Sequence, residues 1–171
     1  TRTFPARGKF TNEQRKIYEA VLRTQKLCLE AVRPGITFLE IDQISWKSIT
    51  EELITLGLIT VDFDDAMKKE LYKEFYPHGI GHHLGLDVHD CDGLSHEEQR
   101  GRHLKYTLEP GMVITIEPGI YIQPDNKAVE ERWLGIGVRI EDDILVTENG
   151  HENLTESAYK ELADIESKAC L

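Results

Sequence analysis

Long apolar runs are missing: nothing in the 171 residues approaches the ~18 apolar positions that a membrane-spanning helix needs. Cysteine is scarce. Cys28, Cys91 and Cys170 are widely spaced, odd in number and never paired as C-x-x-C, which argues against a disulfide scaffold or a cysteine zinc site and for a reducing, cytoplasmic setting. Positive charge is also in short supply. Lys and Arg number 20 against 31 Asp and Glu, for a formal net charge of −11. That balance disfavours a nucleic-acid partner, which needs a basic face, and suits a cationic one, a metal ion or an amine. The opening TRTFPARGKF has neither an initiator Met nor the apolar segment of a signal peptide, so the chain reads as cut from something longer. No serine nucleophile elbow, phosphate loop or H-E-x-x-H occurs, and those chemistries have no support.

What is present is a globular composition, 40% apolar and 30% charged, consistent with a single domain over residues 1–171. Thr11-x-x-Gln14 is a capping box. Behind it Ile17, Ala20, Val21, Thr24, Leu27, Cys28 and Ala31 recur at helical spacing until Pro34-Gly35. Thr37-x-x-Glu40 opens a second helix with Ile41, Ile44, Ser48, Ile49 and Leu53 on one side and Gly57 at its end. A short charged helix is expected over about 65–75, and a last one over about 157–168. The second half changes period. Residues 112–118 alternate, with Val113, Thr115 and Glu117 on one face and Met112, Ile114 and Ile116 on the other. Residues 135–147 alternate too, with Arg139, Glu141 and Asp143 sharing a face. Stretches 91–107 and 123–133 read as long connections. Helices followed by an antiparallel sheet indicate an α+β fold.

Chemistry concentrates in H78-G-I-G-H-H-L-G-L-D-V-H-D90, four histidines within twelve residues. Such a run can be a surface cluster or a set of core histidines. However, Gly79, Gly81 and Gly85 leave room for close approach, and imidazole is the commonest neutral metal ligand. If 82–89 is extended, His82, Leu84, Leu86 and Val88 share one face and His83, Gly85, Asp87 and His89 the other, so one ion can take only one or two of these histidines. Glu117 ends an apolar strand just before Pro118-Gly119, either exposed there or held for a purpose. Glu141 with Arg139 reads as a surface pair, worth under ~1 kcal/mol, or as a site group, because Gly135 and Gly137 on that face leave space. Two strand carboxylates and a histidine can together bind a divalent cation.

All thirteen positions 78–90 resemble the signature of the prolidase and aminopeptidase P family. LEPGMVITIEPGIYI (108–122), GIGVRIEDDILVTENGHENLT (135–155) and TRTFPARGKFT (1–11) resemble further blocks of it. The resemblance implies the C-terminal half of a pita-bread (creatinase/aminopeptidase) fold, a curved antiparallel sheet with helices on one face. The implied activity is Xaa-Pro aminopeptidase, hydrolysing peptides with proline in second position by means of two divalent ions, commonly Mn²⁺. A dipeptidase (prolidase) and a non-catalytic peptide-binding relative are the alternatives. The implied ligands are His82, Glu117 and Glu141, with Glu141 between the ions and Glu117 also helping to deprotonate the attacking water. His78 and His89 match catalytic histidines that line the substrate cleft and hydrogen-bond the peptide during attack, Arg139 an arginine behind the metal cluster, and Tyr121 a recurrent aromatic position. The implied partner is a peptide with an Xaa-Pro N-terminus, and the parent protein is expected to be a homo-oligomer.

The resemblance also implies two further aspartate ligands ahead of Thr1. Asp62, Asp64 and Asp65, in a helical linker region, do not match them. On this reading the chain alone is an incomplete, inactive site.

Overall fold

The computed structural model describes residues 1–90 and 106–168. Cys91, Cys170 and most of the 91–107 connection lie outside the described residues.

Both capping boxes form. The Thr11 hydroxyl accepts from the Gln14 amide (3.2 Å), while the Gln14 side chain accepts from the Thr11 N–H (2.9 Å). They start α1 (Asn12–Ala31). Thr37 and Glu40 repeat the exchange at the head of α2 (Phe38–Thr55), which Gly57 closes with φ +74°. The apolar stripe of α1 differs from expectation at one place. Leu27 is 47% exposed, whereas Gln25 is fully buried, because Gln25 reaches a buried carboxylate described below.

The helix expected over 65–75 is two pieces. α3 (Phe63–Lys68), capped by Asp62, ends before Glu70, whose left-handed φ of 51° resets the chain into a 3-10 turn at Leu71–Glu74. The last helix is shorter than expected: α4 spans Leu162–Lys168. The preceding 158–160 segment forgoes helical bonding, since the Ala158 and Tyr159 carbonyls accept from Arg2 and the Lys160 carbonyl accepts from Tyr18.

The strands are β1 (Val113–Ile116), β2 (Gly119–Tyr121), β3 (Gly137–Arg139), β4 (Asp142–Thr147) and β5 (Gly150–Asn153). A curved antiparallel sheet is expected to include 112–117 and 136–147. The structure builds it as two ladders, β1–β4–β5 and β2–β3, all antiparallel. They share a register, however. Ile116 faces Asp142, and Gly119 faces Arg139; carried across the gap, the same pairing sets Glu117 against Glu141. The ladder breaks there because Pro118 has no N–H to donate. On the outer side of β1 the segment 80–84 pairs as well, through Glu117 N–H to Ile80 O (2.7 Å), Thr115 N–H to His82 O (2.9 Å) and Leu84 N–H to Val113 O (3.0 Å). Gly81 is required by this pairing, since a Cβ there would lie 1.9 Å from the Thr115 carbonyl oxygen.

All the helices named in the core lie on one side of these strands. Ile114, Ile116, Ile144 and Val146 pack with Cys28, Val32, Phe38 and Ile41. Ile120, Val138 and Ile140 pack with Ile17, Val21, Ile49 and Leu53. Each such buried side chain contributes about 1.5–3 kcal/mol, which fixes the alternation and turns residues 115, 117, 139, 141 and 143 to the opposite face. Among the described residues no helix is long and apolar enough to cross a membrane.

Candidate metal centre

On that opposite face, ligand atoms of His82, Glu117 and Glu141 all lie within 4.8 Å of one another. Each is there for a local reason. Glu117 occupies the last position before Pro118, and 80–84 pairing brings His82 alongside Thr115. The Thr115 hydroxyl joins the two residues, accepting from the His82 amide (3.1 Å) and donating to Glu117 Oε1 (3.1 Å). Sequence reasoning put Thr115 on the Glu117 face but gave it no part. The signal for one was a hydroxyl two residues before a strand-end carboxylate.

The protonation pattern follows from the partners. His82 Nδ1 faces the His83 carbonyl (2.9 Å), which can only accept, so Nδ1 donates to it. Nε2 is left on the cleft side, 3.3 Å from Glu117 Oε1. A buried carboxylate and a second carboxylate facing each other repel until a cation joins them. Burial pushes the Glu141 carboxyl up. The Thr1 hydroxyl opposes this by donating to Glu141 Oε2, and the carboxyl is held below its ordinary range. Imidazole with two carboxylates is a donor set suited to a divalent cation, and these residues fit one.

Beside the cluster runs a directional chain of hydrogen bonds. Arg139 Nη1 sits 3.1 Å from Glu117 Oε2, and its Nε donates to the Tyr121 oxygen (2.6 Å). The Tyr121 oxygen lies 2.9 Å from His78 Nε2, and His78 Nδ1 lies 2.8 Å from the Gly79 carbonyl. Burial pushes the Tyr121 hydroxyl up, so it keeps its proton and donates it to His78. Burial likewise pushes His78 down, leaving a neutral ring whose Nε2 accepts. Both ring nitrogens of His78 are thus engaged inside the protein. Gly119 makes the chain possible, because a Cβ there would come 2.3 Å from the Tyr121 oxygen.

The extended reading of 82–89 fails at Gly85. The chain turns back, with Asp90 N–H bonded to His83 O (3.0 Å) and Leu86 N–H to the Asp90 carboxylate (2.9 Å). The turn brings His89 onto the His82 side, their ring centroids 4.1 Å apart and edge-on. His83 points elsewhere, edge-on to Phe38.

Behind the cluster, on the core face, sequence reasoning missed Asp142. It is fully buried and accepts from Arg2 (2.6 Å), Gln25 (2.9 Å), Asn153 (2.8 Å), Thr155 (3.1 Å) and Lys160. Burial alone would raise its pKa; Lys160, Arg2 and Asn153 more than reverse this and hold it at about 2. An acid alternating with Val138, Ile140, Ile144 and Val146 was the available signal.

This geometry belongs to a recognised class. Residues 1–148 match metallopeptidase family M24, and the chain belongs to that family, whose members work with divalent metal ions. The Xaa-Pro aminopeptidase of Haemophilus influenzae is 47% identical over 167 residues, which cover 98% of this chain and 37% of that protein. Among solved structures, aminopeptidase PepP of Pseudomonas aeruginosa matches with a TM-score of 0.88 and 47% identity over 97% of this chain and 36% of that one. Aminopeptidase P of E. coli with the inhibitor Pro-Leu matches with the same TM-score at 44% identity. The chain therefore has part of the aminopeptidase P fold, a pita-bread portion of α+β type, and spans just over a third of the length of these relatives.

Proposed function

We propose that the protein containing this chain is an Xaa-Pro aminopeptidase, a metal-dependent hydrolase that releases the residue ahead of a second-position proline. The observation that carries this reading is the approach of His82, Glu117 and Glu141 to within 4.8 Å on a fold shared with relatives of that name. His82 and Glu117 would hold one divalent ion and Glu141 would lie between two, with Mn²⁺ the ion we favour. Further ligands would come from elsewhere in the parent. When bound, such ions polarise a scissile carbonyl and acidify a water.

The chain's own residues supply the rest. Glu117, with Oε2 tied to Arg139 and Oε1 accepting from Thr115, would help to deprotonate the attacking water. Arg139 and Tyr121 hold Glu117 and His78 in place, and His78 forms the cleft wall through the Tyr121 bond. His89, exposed and edge-on to His82, hydrogen-bonds the peptide. The acidic surroundings attract the peptide's free amine. We also expect the parent to self-associate, which light scattering would test.

Metal-free parent protein titrated with Mn²⁺ and assayed on Xaa-Pro peptides tests the reading. His82→Ala should abolish turnover and weaken Mn²⁺ binding, whereas His89→Ala should bind Mn²⁺ nearly normally and lose rate. Equal metal loss in both would contradict these separate roles, and cleavage restricted to dipeptides would make the enzyme a prolidase. The 171-residue chain by itself should bind at most one ion weakly and show no turnover. Two-ion binding with turnover by that chain would overturn the ligand assignment.

A further inference from the structure

Glu141 sits in the gap between β3 and β4, where the strand ladder does not hold its main chain. Its N–H donates instead to the Thr1 carbonyl (3.0 Å), and its carbonyl accepts from Arg2 Nη1. Arg2 has little exposure, its side chain 10% accessible, and spends the whole guanidinium fork on this corner. Nη1 also donates to Thr1 O (2.9 Å). Nη2 reaches Asp142 Oδ1 (2.6 Å) and Ala158 O (2.9 Å), and Nε reaches Tyr159 O (3.0 Å). One planar cation thus joins the first strand-like residues, the main chain of Glu141, the side chain of Asp142 and the 158–159 turn.

We propose that Arg2 is a positioning residue for Glu141, fixing the main chain from which that carboxylate reaches toward Glu117 and His82. The proposal rests on the metal-site reading above. Asp142 is the lock: it holds the guanidinium on the core face so that Nη1 is aimed at the Glu141 carbonyl on the strand. Lys160 serves Asp142 from the other oxygen, Oδ2, and makes no bond to Glu141. The two cations that neutralise Asp142 are therefore not equivalent. Removing either disturbs the buried charge, but only Arg2 also orients Glu141. A lysine cannot replace it, because an ammonium offers its donors from one point and cannot span the Glu141 carbonyl, Asp142 and the Ala158 carbonyl together.

The test uses the parent protein with its metals removed, titrated with Co²⁺ and followed by visible absorption without substrate, alongside thermal melting. Arg2→Lys and Arg2→Gln should weaken Co²⁺ binding roughly 10–100-fold, the range typical of residues that orient metal ligands, change the absorption envelope and lower kcat with little change in KM. Lys160→Met should lower the melting temperature at least as much, yet leave Co²⁺ affinity and spectrum at wild-type values. Wild-type Co²⁺ affinity in both Arg2 variants, or an equal loss in Lys160→Met, would overturn the positioning role. Wild-type Co²⁺ binding by His82→Ala would instead overturn the metal-site reading itself.

Discussion

Glu141 and Asp142 are consecutive carboxylates on opposite faces of the same chain segment, and they are treated in opposite ways. Asp142, on the core face, is neutralised by Arg2 and Lys160 and hydrogen-bonded by three neutral side chains. Glu141, on the cleft face, stands across the register from another carboxylate, Glu117, with Nε2 of His82 alongside. Like charges placed opposite each other across strands destabilise the pair. The core face sets two cations against one acid; the cleft face sets two acids against one arginine, Arg139 on the far oxygen of Glu117, and so has room for a further cation. A buried acid therefore points to binding only when the protein has not already supplied its partners.

Four measurements would break or sharpen that contrast, and unfolding by denaturant reads each of them. The largest effect belongs to Asp142→Ala, which strands Arg2 and Lys160 in the core and should cost about 3–5 kcal/mol. Acid comes next. The Asp142 pKa is about 2 in the folded protein against an ordinary 3.8, so its stabilisation is complete above pH ~4 and is lost as pH falls toward 2. The loss is about 2 kcal/mol and should be missing from the pH dependence of an Asp142→Asn variant. Thr155→Val removes one neutral donor and should cost about 1 kcal/mol. The smallest change is Glu141→Gln, which should alter the stability of the metal-free protein by less than about 1 kcal/mol while sharply reducing Mn²⁺ affinity in calorimetry. A Glu141→Gln loss as large as that of Asp142→Ala would erase the distinction between the two faces.

Local signals were well written in the sequence. Thr11/Gln14 and Thr37/Glu40 form their capping boxes because each needs only four consecutive residues. The alternation of 112–118 places Thr115 and Glu117 together because strand side chains have period two. Long-range features were less visible. Pro118 marked the end of a strand, but only the observed pairing shows that β2–β3 continues the β1–β4 register and sets Glu117 across from Glu141. The turn at Gly85, which carries His89 back to His82, depends on the side chain of Asp90. The partners of Asp142 lie 140 residues upstream at Arg2 and 18 downstream at Lys160, so no window of sequence contains the network. The burial of Gln25 and the exposure of Leu27 follow from that same hidden carboxylate.

The close approach at Gly119 also bears on how this sequence can vary. Any side chain at 119 would occupy the space through which the Tyr121 oxygen reaches Arg139 and His78, so the two positions compete for one volume. In a saturation library scored for peptide turnover, position 119 should accept only glycine while Tyr121 is present. Alanine at 119 should become acceptable to the fold, though not to turnover, when residue 121 is made small. The two sites would then behave as a coupled pair, with a penalty for the double change well below the sum of the single ones.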